Sequence, residues 1–159
     1  MRPSSILRGA HAYLNPPAAL AGLADHHAHQ KSSARAHSIA EIVAHMAFWQ
    51  DWFLDRCDGV DLPMPAPAAL GWPPVRDFEW DPVLKKFEHG FDRALALADH
   101  ETRYAQAVTP PIEFEPLSRY TVADVLTHVA LHNAHHVGQV ITLRQLQGSW
   151  PPPAGSWTW

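Results

Sequence analysis

The chain has 159 residues with a formal charge of −4, 47% hydrophobic and 18% charged residues, and one cysteine against 12 histidines. That length suits a single domain, read here as residues 1–159, able to bury a core without a disulfide or metal to hold it. Cys57 alone excludes an internal disulfide or a cysteine-ligated cluster, and the negative balance without a basic run speaks against nucleic acid or an anionic membrane as partner. No apolar stretch reaches membrane-spanning length and the first residues lack a signal-peptide core, so the expected location is cytoplasmic.

Prolines divide the sequence into helical runs. Ser4 to about Leu14 reads as a short first helix stopped by Asn15-Pro16-Pro17, and Ala18 to Gln30 as a second. Ser38-Ile39-Ala40-Glu41 is a capping box opening a helix in which Ile39, Ile42, Met46, Trp49 and Phe53 share one face. His45 lies at the edge of that stripe, near Trp49 and Trp52, and Gly59 is the expected stop. Prolines at 63, 65, 67, 73 and 74 make residues 59–80 a long link, of a length that often covers a site. Asp81-Pro82 is the expected start of a third helix running to about His100. Gln106 to Phe114 is read as extended. Thr121-Val122-Ala123-Asp124 opens the longest helix, ending near Gly148, with Val122, Val125, Val129, His132, His136, Val140 and Leu143 along one face. Leu131 and Ala134 leave its other side apolar too, as for a helix covered by its bundle or by a second subunit. The tail at about 149–159, with Trp150, Trp157 and Trp159 among prolines, is not helical and reads as tied to the surface or to a partner.

Four histidines fall between His128 and His136, in the string HVALHNAHH. The pairs His128/His132 and His132/His136 have the i, i+4 spacing that stacks two imidazoles on one helix face, close enough to hold one ion. In a chain with this many histidines about one such pair arises by chance, so position decides more than spacing. His132 and His136 lie inside the apolar stripe, where an unpartnered ring costs about 1–3 kcal/mol. Two readings follow: the pair binds a metal, or both rings are bonded to backbone or side chains. His45 is the natural third ligand, although a lone histidine in such a place is more often a satisfied core residue. His128 reads as a neighbouring support or spare ligand. His135 points away, and His11, His26, His27, His29, His37, His89 and His100 read as solvated. No His-Glu-x-x-His, paired Glu-x-x-His or nucleophile elbow is present.

Two segments, HSIAEIVAHMAFWQDWFLDR (37–56) and YTVADVLTHVALHNAHHVGQVITLRQL (120–146), resemble the DinB-like (DinB/YfiT-type) superfamily. The first is similar to that family's second helix. The second is similar to its last long helix with a His-x-x-x-His-x-Gly-Gln signature, here His132 to Gln139. The resemblance implies an all-α four-helix bundle, up-down-down-up, with the Pro-rich stretch as the long link between helices 2 and 3. It implies a divalent metal (Zn, Ni, Fe or Mn) held by His45, His132 and His136, often in a homodimer. Many members carry arginine where this chain has Val137. The implied function is a metal-dependent enzyme of the thiol S-transferase or hydrolase type acting on a small molecule, with a low-molecular-weight thiol as a cosubstrate. No catalytic side chain is identified, since metal-bound water or thiolate would react; Gln139 and His128 are candidate supports, and Trp49 and Trp52 candidate pocket walls. The alternative is a helical bundle that binds metal or a small molecule without turnover.

Overall fold

The computed structural model describes residues 2–9, 12–66, 68–76 and 79–155, with Ala68 and Ala69 described for backbone alone. Those residues form an all-helical structure: α1 (Pro3–Leu7), α2 (Pro16–Leu20), α3 (Asp25–His29), α4 (Ile39–Cys57), α5 (Trp80–Ala98) and α6 (Val122–Leu146), with short 3₁₀ turns at Ala68–Gly71, Glu101–Arg103 and Glu115–Leu117. The expected first helix ends early. Gly9 takes φ +74 and the chain doubles back, so that the Tyr13 hydroxyl reaches the carbonyls of Ile6 and Leu7. The expected second helix is two, because Ala21 is extended and Gly22 turns with φ +67 before α3.

The two capping boxes form as read: Ser38 with Glu41 opens α4, and Thr121 with Asp124 opens α6. α5 begins one residue before the expected N-cap, with Glu79 at the cap position. Pro82 still falls in the first turn, where no intrahelical donor is needed. Residues 106–114 make no strand. Ala107 and Thr121 form one isolated antiparallel bridge, and Val108 N–H donates to Tyr120 O at 2.9 Å.

Polar contacts set the register of the long helices. Asp51 and Asp55 on α4 meet Lys86 and Arg93 on α5 in the same order, so these helices run parallel. Gln50 of α4 meets Asn133 of α6, and Ile42 and Leu143 line one cleft, so α4 and α6 run antiparallel. The buried Gln50 amide links all three, accepting from Asn133 and donating to Phe87 O at 3.1 Å. A Cβ at residue 90 would stand 2.6 Å from that amide, so glycine there keeps α5 close. α1 and α2 pack on α6, and α3 packs on α4 and α5.

Two buried arginines fasten what the helices do not. Arg56, 2% exposed, pairs with Asp61 and donates to carbonyls of Val60, Leu62, Pro110 and Pro111, joining the link to the loop before α6. Arg144, 1% exposed, reaches Ala19 and Ala21 O on one side and Ser149 O on the other. Its guanidinium also lies 5.6 Å from the Trp150 ring centre, which ties down the first part of the tail. Trp157 and Trp159 lie outside the described residues. No helix among the described residues is long and apolar enough to cross a membrane.

Candidate metal centre

α4 and α6 bring His45, His132 and His136 together. Their Nε2 atoms converge, 3.1 Å from His132 to His45 and 3.2 Å from His132 to His136. One ligand atom from each lies within 4.8 Å of the others. A single ion with bonds of about 2.05 Å at tetrahedral angles sets nitrogen pairs about 3.3 Å apart, close to the observed spacing. Mutual hydrogen bonding does not satisfy three such nitrogens, because the other side of two rings is already committed. His45 Nδ1 faces Gly71 O at 2.6 Å, and a carbonyl accepts only, so this nitrogen carries the proton. His136 Nδ1 donates to Gln139 Oε1 at 2.7 Å. Both rings therefore turn a lone pair toward the centre, the tautomer a metal needs.

Burial reinforces that state. It lowers the pKa of His45, pushes His132 down to about 3, where its two imidazole neighbours add to the effect, and pushes His136 down to about 4. All three are neutral at pH 7. In the chelated protein the unfolded chain takes up protons near pH 6.5, whereas the folded rings resist until far lower. The unfolded state then binds more protons, so stability rises with pH across this window. The melting temperature of chelated protein is expected to fall as pH drops from about 6.5 toward 4; a flat profile in that range would contradict the buried neutral triad.

The Pro-rich link closes one side. Trp72 stacks on His45 at 3.8 Å between ring centres and on His37 at 3.8 Å, so it lies between the two. His37 is thus a stacking partner as well as a solvated residue, and His29, expected in solvent, has a side chain only 12% exposed beside Asp25. Gly71 has no room for a side chain: a Cβ would come 2.5 Å from Trp49 Nε1. Gln139→Leu and Gly71→Ala are each expected to weaken metal affinity by about 10–100-fold while leaving the fold intact, as measured by competition with a chromogenic chelator.

The remaining candidates divide. His128 stands outside the triad, with Nδ1 3.2 Å from the Tyr120 hydroxyl and its ring 4.5 Å from Phe53. Trp49 lines a hollow of about 190 Å³ with Phe53, Met64, Phe114 and Leu117, bounded by His128 and His132. Trp52 is buried and donates to Pro63 O at 3.2 Å, an anchor for the link rather than part of that wall. A larger cleft, of about 520 Å³, runs past Trp72 and Gln139 and is lined by none of the triad. Burial raises the Cys57 thiol to about 12, so it is no nucleophile at neutral pH. The roles of Gly71 and Trp72 had no sequence signal, since each meets His45 from a separate segment of the chain.

A family model of the DinB superfamily matches residues 15–140, most of the chain and all three histidines. The chain belongs to the DinB superfamily. No curated protein matches it. In this DinB protein the three-histidine group fits a divalent metal ion.

Proposed function

We propose that His45, His132 and His136 hold a divalent metal ion and that the protein is a metal-dependent enzyme of the thiol S-transferase or hydrolase type. The observation that carries this reading is the convergence of three Nε2 atoms with Nδ1–H anchored behind two of them. Such an ion supplies Lewis acidity toward an oxygen or sulfur donor of a substrate. The chain's own part is positional: the Gly71 carbonyl and Gln139 fix ring tautomers, and Trp72 keeps water from the back of His45. Three neutral ligands leave the full dipositive charge on the ion and favour a nucleophile that binds as an anion, including a low-molecular-weight thiolate.

The bundle is read as up-down-down-up, with α1–α3 as a broken first helix followed by α4, α5 and α6; the parallel α4/α5 and antiparallel α4/α6 contacts support it. Leu146, 71% exposed on α6, supports a homodimer through that helix. A single buried thiol suits a reducing cytoplasm.

The test is elemental analysis of the purified protein followed by turnover assays with Zn, Ni, Mn and Fe forms. The assays pair low-molecular-weight thiols with model electrophiles, and include ester and amide substrates. Stoichiometric metal and turnover that chelation removes are expected. Metal without turnover across the panel would make the protein a metal-binding bundle instead.

A further inference from the structure

The triad is not equally covered. His45 and His136 are buried and backed through Nδ1, whereas His132 is partly open and borders two hollows. The first is the apolar one walled by Trp49, Phe53, Met64, Phe114 and Leu117. The second, of about 460 Å³, is a groove along α6 of mixed character, with Tyr120, Asp124, Thr127 and Leu131 in its wall. His128 and His132 bound both. The wider cleft beside Trp72 reaches only the residues behind the ligands, so the approach to the triad is at His132.

Size and chemistry limit what fits. A dry cavity of about 150 Å³ holds a benzene ring, so the apolar hollow, at about 190 Å³, holds one ring or a branched group of similar bulk. In the groove beside it the Tyr120 hydroxyl lies 3.2 Å from His128 Nδ1, placed to donate to a neutral imidazole there. That leaves the proton of His128 on Nε2, which has no hydrogen-bond partner among the described residues. An apolar seat beside an idle N–H donor, next to His132, is a recognition unit with two complementary parts.

We infer that this double hollow is the substrate subsite, and that it takes a small molecule with one compact ring-sized apolar group joined to a hydrogen-bond acceptor such as a carbonyl oxygen. The ring sits among Trp49, Phe53 and Phe114, the acceptor receives the His128 Nε2–H, and Tyr120 is a positioning residue that sets the tautomer. This rests on the triad being the reacting centre, but the binding test does not need turnover.

The full-length protein is titrated with benzamide, toluene and acetamide, and contacts are mapped by intermolecular NOEs, with metal content measured in parallel. Benzamide is expected to bind more tightly than toluene and to show ring contacts at Trp49 and Phe53, and acetamide to show none. His128→Phe keeps a ring but loses the donor. It should weaken benzamide by about tenfold and leave toluene unchanged. Phe114→Ala, at a half-exposed wall position that the fold tolerates, should weaken both probes by about fivefold. Ring contacts only in the cleft beside Trp72, or equal benzamide affinity in wild type and both variants, would overturn the assignment. Ring contacts in the hollow of a protein that takes up no metal would support the subsite and overturn the metal-centre reading instead.

Discussion

Replacing His132 or His136 by alanine is expected to leave the purified protein without stoichiometric metal. Each substitution removes one of three converging nitrogens, and among the described residues no cysteine or carboxylate joins the group to replace it. His135→Ala is the matched control, since His135 is exposed and adjacent in sequence but outside the group. The effect should also appear in stability. A ligand present at 100 times its Kd adds about 2.7 kcal/mol to the folded state, so chelation should lower the wild-type melting temperature and leave the two variants unmoved. Stoichiometric metal in either variant would show that the site lies elsewhere.

The second large effect is structural. Arg144→Met is expected to cost about 3 kcal/mol, or a fall in Tm of about 10 °C. The side chain is 1% exposed and donates to Ala19, Ala21 and Ser149 carbonyls, which methionine would leave without donors. Hydrogen bonds from a charged group contribute about 1.5–3 kcal/mol each, more than the gain from an apolar replacement offsets. Arg144→Lys should recover little, because an ammonium lacks the planar fork that spans both sides. Urea denaturation checks this, and a shift under about 1 kcal/mol would mean that water takes the guanidinium's place.

Periodicity and caps reveal the long helices well. Ser38/Glu41 and Thr121/Asp124 open α4 and α6 as read, because a capping box is a local contact that needs nothing from the rest of the chain. The N-terminal region is harder. Its helices break at Gly9 and Gly22, where tertiary docking of Tyr13 and of the tail against the turn decides the path. The metal centre was half legible. The i, i+4 pair and its place in an apolar stripe expose His132 and His136, and position alone makes His45 a weaker third candidate that the family resemblance strengthens. Gly71, Trp72, Arg56 and Arg144 gave no signal. Their roles come from contacts across long sequence separations, and a buried arginine runs against the usual burial preference.

The close seat of Gly71 and Trp72 on His45 has a consequence for how the link can vary. Residues 60–63 are held by Arg56 and Trp52, whereas two consecutive residues further along, Gly71 and Trp72, touch a ligand directly. Slipping the chain by one position would put a side chain where Trp49 leaves no space and carry the indole off the imidazole. The site is therefore assembled from three separated pieces of sequence rather than two, and metal occupancy reports whether the link has docked. One residue inserted beside position 71 should empty the proposed metal site.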